Sequence, residues 1–294
     1  MSIFTFDVIA QQLFYGLMLG SMYVLMAVGL SLIWGILDML NFAHGSFFML
    51  GGYFTFFIVT YLGFNPLLTI LIAMGLIAGI GALIFFFLIF PINNKPNWLI
   101  NTIIITLGVS ICSQNLALII FGERYKTLPK FFDYTVYFLG INIGLDRLVV
   151  FALALILIAS LLLFIHKTDI GIVMQAVAQN KEAAEIIGLP IKKIYLITFA
   201  ISCALAGASG GLLAPIYGIY PTVGFMPLLM AFLVVILGGL GSIKGAVVAG
   251  FLLGIIESLA VLFVTSTWKE VAMFSVMIII LTIRPTGLFG TRSG

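Results

Sequence analysis

Glu257, in the run GIIESLAVLF, is a carboxylate placed well inside an apolar stretch. An ionisable group is costly to keep there, so it marks either a translocation path or a helix contact that fixes packing. Thr106, Ser110 and the run Ser113–Gln114–Asn115 put hydroxyl and amide groups on successive turns of one segment. Such groups line a polar path or bond to a neighbouring helix. Asp38, Asn41 and His44 occur together in LDMLNFAHG, where Asn, His and Gly are expected to interrupt a helix and free backbone groups. That break is either a gating element or a tight interfacial turn. No nucleophile has a base at a spacing that forms a motif, and His44 and His166 are too far apart to pair. Lys244 follows a Gly-rich stretch but precedes Gly245 rather than Ser or Thr, so there is no Walker A loop. Catalysis, a metal site and a bound cofactor are therefore not expected. Cys112 and Cys203 both lie in apolar runs and are expected to be small helix residues rather than a disulfide or a metal site.

The elements that position these residues must be membrane helices. Of the 294 residues, 63% are hydrophobic and 8% charged, against about 45–50% and about 25% in soluble domains. So few charges cannot cover a water-soluble globule, and the apolar runs are continuous rather than alternating, which excludes an outer-membrane barrel. Each crossing of the bilayer takes roughly 20 helical residues. The sequence divides into Val8–Leu37, Gly45–Leu62, Pro66–Ile89, Leu99–Phe121, Leu148–Ile165, Ile194–Ile216, Phe225–Leu240, Gly245–Val264 and Val271–Ile283. An all-α polytopic membrane protein of about eight to ten spans is expected, with the last stretch short enough to be re-entrant. The start carries Asp7 and no basic residue, unlike a signal peptide, so the first stretch is expected to be retained.

With the N-terminus outside and nine alternating segments, one side carries Lys95, Lys167, Lys181, Lys192, Lys193, Lys244, Arg284 and Arg292. The other carries Arg124, Lys126, Lys130, Arg147 and Lys269. The more basic side is expected to be cytoplasmic, which puts the C-terminus inside. Residues 122–147 then form an outer polar loop whose Tyr134–Tyr137 stretch suits an extended piece. Residues 167–193 form the longest inner segment. Within it, Asn180 is an N-cap, Glu182 and Glu185 favour the helix start, Gly188 suits the left-handed C′ position and Pro190 stops continuation. A two-turn helix, KEAAEII, is predicted. Small residues recur at four-residue spacing (Gly16/Gly20, Gly75/Gly79, Gly207/Gly211, Gly241/Gly245, Gly250/Gly254), the pattern of close helix packing in lipid. Gly-rich breaks near Gly35–Gly45 and Gly238–Gly245 hint at an internal repeat.

Residues 34–53, WGILDMLNFAHGSFFMLGGY, resemble the signature of LivH-type permeases of branched-chain amino acid ABC importers. QNLALIIFG (114–122), VAQNKEAAEIIGL (177–189), LGGLGSIKGAVVAG (237–250) and RPTGLFG (284–290) resemble further stretches of that family, in family order. The NFAHG form and the short lead before the first span resemble the H-type rather than the longer M-type partner. The resemblance implies a single transmembrane permease domain over residues 1–294. Its partners would be a second, LivM-like permease subunit, two ATP-binding subunits and a periplasmic amino-acid-binding protein in a bacterial inner membrane. The cargo would be Leu, Ile, Val or a related apolar amino acid, with urea and short amides carried by similar permeases. Glu182, Ala183, Ala184 and Gly188 fit the EAAxxxG core of the ABC-permease coupling motif. The Ile-x-Leu-Pro extension of the wider superfamily is absent, Thr198–Phe199–Ala200–Ile201 standing in its place.

A mechanism follows for a chain without its own ATP site. The capped inner helix would sit in a cleft of a nucleotide-binding subunit and pass its closure to the spans on either side of the loop. Asn41, His44, Gln114, Asn115 and Glu257 are the candidates for the path or its gate. Two other readings stand beside this one: an autonomous ion-gradient carrier or channel using Glu257, and an assembly subunit that lines no pathway.

Overall fold

The computed structural model describes residues 6–93, 95–128, 132, 134–138, 141–263 and 268–290. Lys130, Arg292 and Val264 lie outside the described residues, as do 1–5 and parts of the 122–147 segment. Every apolar stretch is a helix: α1 (Phe6–Leu37), α2 (His44–Leu62), α3 (Pro66–Ile84), α4 (Trp98–Phe121), α5 (Leu145–Lys167), α8 (Ile191–Tyr217), α9 (Phe225–Gly238), α10 (Ile243–Phe263) and α11 (Lys269–Ile283). Between α5 and α8 lie α6 (Asp169–Gln179) and α7 (Lys181–Ile186). One hairpin, β1 (Thr135–Phe138) paired antiparallel with β2 (Ile141–Gly144), accounts for the extended stretch seen in the sequence. Among the described residues seven helices are long and apolar enough to cross a membrane; α9 and α11 are shorter. The protein is an all-α polytopic membrane protein.

The helices run between a hairpin end and a short-helix end, the latter carrying α6 and α7. α1 and α8 form the buried centre, while α4 and α5 turn Ile104, Ile111, Ile119, Ile156 and Leu163 outward. The α1–α10 seam is antiparallel and built on the small residues at four-residue spacing. A Cβ on Gly16 would lie 2.7 Å from Ile255 Cα, and one on Gly20 would lie 2.8 Å from Phe251 Cα. Backbones this close are held by dispersion contact, which the absence of side chains permits. Gly207 and Gly211 serve α8 in the same way against α3 and α2. Gly75 and Gly79 differ: nothing lies within 4 Å of a Cβ built there, so this pair makes no close helix contact within the chain.

The first break is narrower than the sequence indicates. His44 and Gly45 belong to the first turn of α2, and the non-helical piece is residues 38–43. Asn41 explains this, because its side-chain oxygen accepts the Ala43 N–H at 3.0 Å and its carbonyl accepts the His44 N–H at 3.3 Å, which nucleates the next helix. A second break, residues 218–224, leads into α9, whose 14 residues extend about 21 Å at 1.5 Å per residue, short of a crossing. The end of the second break meets the first turn of α2, since the backbones of Gly45 and Gly224 are in contact with no room for a Cβ on either. α2 and α9 therefore begin beside each other in the interior and run toward opposite ends.

Candidate functional site

At the short-helix end, α7 carries the caps its sequence implies. Asn180 Oδ1 accepts the Ala183 N–H at 2.9 Å. Gly188 takes φ +82°, its N–H donates to Glu185 O at 3.0 Å, and the Leu189 N–H donates to Ala184 O at 3.0 Å. That pair of bonds is a Schellman closure, in which a left-handed residue satisfies the last carbonyls of a helix. Ala184 is buried against the body of the protein, whereas Glu182 and Ala183 face outward. Ile186 and Ile187 are 85% and 72% exposed, an apolar tip beside the charged first turn of a six-residue helix. α6, which the sequence did not reveal, starts on Thr168, whose Oγ1 accepts the Gly171 N–H at 3.1 Å.

The charge at the start of α7 is felt at the first break. Lys181 lies 5.3 Å from the Tyr195 ring centroid and interacts electrostatically with Asp38, the exposed residue that ends α1 in the left-handed region at φ +50°. Partial desolvation by its neighbours raises the Asp38 carboxyl above its ordinary range, and the Lys181 ammonium opposes that rise. Beyond Asp38 the chain turns inward along α4. The Phe42 N–H donates to Thr106 Oγ1 at 3.2 Å, Ser46 Oγ and Ser110 Oγ are 2.9 Å apart, and the Trp98 indole N–H donates to Leu37 O at 2.9 Å. His44 Nε2 donates to Met26 O at 3.1 Å, which fixes the tautomer. His44 Nδ1 and Asn41 Nδ2 are buried without a partner among the described residues. Thr106 thus bonds the break, and Ser110 bonds the first turn of α2. Gln114 bonds back to Ser110 and Asn115 to Ile111 O on its own helix.

Toward the hairpin end, Glu257 is 3% exposed and accepts a hydrogen bond from the Tyr23 hydroxyl of α1. It lines two cavities, one of about 240 Å³ reaching Met26, Ser209 and the first turn of α9, and one of about 200 Å³ reaching Arg147. Arg147 itself lies 4.8 Å from the Tyr15 ring centroid. Asn41, His44, Gln114 and Asn115 line neither cavity, so the five candidate path residues form separate groups. Tyr23 and Ser209 escape sequence reasoning, because a Tyr and a Ser in apolar helices carry no spacing signal. Tyr217, Tyr220 and Val223 line the larger cavity, and behind them Lys126 pairs with Ile219 in a backbone bridge while Tyr125 stacks on Tyr220. Among the described residues no three His, Cys, Asp or Glu side chains converge.

Residues 12–281 match the family model described as branched-chain amino acid transport system / permease component. The chain is 32% identical to the high-affinity branched-chain amino acid transport system permease protein LivH of Escherichia coli K12, over 95% of each chain. It is also 32% identical to the corresponding permease protein BraD of Pseudomonas aeruginosa, again over 95% of each. Identity to the permease protein LivM of Escherichia coli K12 is 26%, over 90% of this chain and 67% of LivM. No solved structure matches.

Proposed function

The chain belongs to the family of permease components of branched-chain amino acid transport systems, and on that premise we propose that it is a membrane subunit of an ABC importer for branched-chain amino acids. It forms one transmembrane domain of nine segments, with its N-terminus outside and its C-terminus in the cytoplasm of a bacterial inner membrane. Its partners are a LivM-like permease subunit, two ATP-binding subunits and a periplasmic amino-acid-binding protein.

One observation carries this reading: α7, a short helix closed at both ends, presents Glu182 and the apolar tip Ile186–Ile187 outward from the longest connection at its end of the bundle. An isolated six-residue helix is not stable in water. Its caps and its seat through Ala184 hold a shape that only a docking partner would use. Closure of the ATP-binding subunits would move α7, and the Lys181–Asp38 interaction would carry that movement to the end of α1 and the break at 38–43. A packed break has two arrangements rather than a continuum, so a small push at α7 would produce a discrete rearrangement.

Two substitutions test the lever. Gly188→Pro locks φ near −65° at a position that needs +82°, and Glu182→Lys reverses a charge on the outward face. Both should insert normally and abolish substrate-stimulated ATP hydrolysis in the assembled transporter. Normal stimulation in both would remove α7 from the mechanism. Uptake by the purified chain alone in liposomes, without ATP-binding subunits, would favour a gradient-driven carrier.

A further inference from the structure

We propose that the 240 Å³ cavity between α1, α8, α9 and α10 holds a zwitterionic α-amino acid with an apolar side chain during transport. The inference rests on the permease reading above and adds the place and the chemistry of a substrate site within this subunit. The cavity is smaller than the roughly 300–1,000 Å³ of pockets that take drug-sized ligands. It is therefore scaled to a small molecule.

Three kinds of recognition converge on it from distant parts of the chain. The Glu257 carboxylate receives the α-ammonium, and the Tyr23 hydroxyl already bound to it fixes its orientation. A carboxylate offers about four acceptor sites, more than the Tyr23 hydroxyl alone can fill. Glu270 adds a second acidic side chain to the same lining. The α-carboxylate meets the amino end of α9, where Met226 of the first turn lines the cavity beside Pro227, which has no N–H to donate. A helix that begins in the interior presents its positive dipole end to an anion there. Ser209 Oγ is the second, independent sign of a ligand: 1% exposed, it has no hydrogen-bond partner among the described residues and lines this cavity. A buried hydroxyl left unbonded costs free energy that an incoming carboxylate would recover.

The remaining wall selects the side chain. Met22, Met26 and Met230 face the space. Unbranched thioether chains repack around differently branched aliphatic groups at little cost, so one wall accepts Leu, Ile and Val alike. Urea and neutral amides lack the ammonium that Glu257 would bind, and a 2-oxo acid lacks it as well. The site thus discriminates by the zwitterion, independently of any selection made before the substrate reaches the membrane.

The test is binding of tritiated leucine to the full-length chain in lipid nanodiscs, with unlabelled competitors. Leucine should displace the label, whereas 4-methyl-2-oxopentanoate and leucine methyl ester should each compete at least tenfold more weakly. Glu257→Gln should weaken leucine binding at least tenfold and Ser209→Ala severalfold, with thermal unfolding confirming that each variant is folded. The wild-type competition series stands even where a variant fails to fold. Equal competition by the 2-oxo acid, absence of leucine binding, or unchanged binding in a folded Glu257→Gln variant would overturn the proposal. Leucine uptake by cells with and without the gene separates the two levels. Uptake that depends on the chain, alongside failed binding, sinks the cavity and spares the permease reading, whereas uptake that does not depend on it sinks the reading itself.

Discussion

Two glycines that look alike in the sequence should respond oppositely to the same substitution. Gly20 and Gly75 each belong to a small-residue pair at four-residue spacing within an apolar helix. A Cβ on Gly20 would lie 2.8 Å from Phe251 Cα and 3.1 Å from both Gly250 O and the Phe251 ring, the first two of them backbone, while a Cβ on Gly75 meets nothing within 4 Å. Ordinary contact begins near 3.4 Å, so Gly20→Ala must separate α1 from α10 by about 0.6 Å (3.4 less 2.8) along their seam. Overpacking of this kind costs roughly 1–3 kcal/mol. Both substitutions gain the same helix propensity of about 1 kcal/mol, so the difference between them isolates the packing cost. Gly20→Ala should therefore be less stable than Gly75→Ala by about 1–3 kcal/mol, or roughly 5- to 150-fold in the unfolding equilibrium at about 1.4 kcal/mol per tenfold. Reversible unfolding of the isolated chain in mixed detergent micelles, followed by tryptophan fluorescence, measures the difference. Equal stabilities within about 0.5 kcal/mol would refute the claim that the α1–α10 seam depends on backbone approach.

Two further outcomes follow from single bonds. Thr106→Val removes the acceptor of the Phe42 N–H and leaves a partly buried donor unbonded, which should cost about 1 kcal/mol of stability in the same assay; no loss would mean that the break at 38–43 is not held through α4. Asn180→Ala deletes the N-cap of α7 and should cost about 1 kcal/mol in that helix. Since Ala184 alone of α7 packs into the core and the rest of the helix is exposed, the substitution should lower coupled ATP hydrolysis severalfold while changing global unfolding little, and a reversed pattern would argue against local control by the cap.

Much of the architecture was legible because lipid leaves the backbone few options. Each uninterrupted apolar run had to be a helix, and each one is. α7 was legible for the opposite reason: Asn180, Gly188 and Pro190 are strong local punctuation, and caps depend on neighbouring residues only. What escaped were relations across the chain. Glu257 stands out as a lone acid, but its partner Tyr23 is 234 residues away and looks like any aromatic in a span. Gly16/Gly20 and Gly250/Gly254 were visible as pairs, though not that they face each other, nor that Gly75/Gly79 face no other part of the chain. The polar run on α4 divided because one helix face meets α2 and the break while the next turns away. Thr106 and Ser110 lie on the first face and Asn115 on the second. α6 was missed because Thr168–Asp169 is a modest cap signal and the amphipathic stretch after it is too short to read as a span.

The central claim is that α7 faces the cytoplasm and is the surface on which an ATP-binding subunit acts. A single cysteine at Ile186, in a chain with Cys112 and Cys203 replaced by serine and alanine, reports on both parts of that claim. A membrane-impermeant maleimide should label it in inside-out vesicles and not in right-side-out vesicles, and added ATP-binding subunits should protect it. Labelling from the exterior, or cytoplasmic labelling that the ATP-binding subunits leave unchanged, would contradict the account.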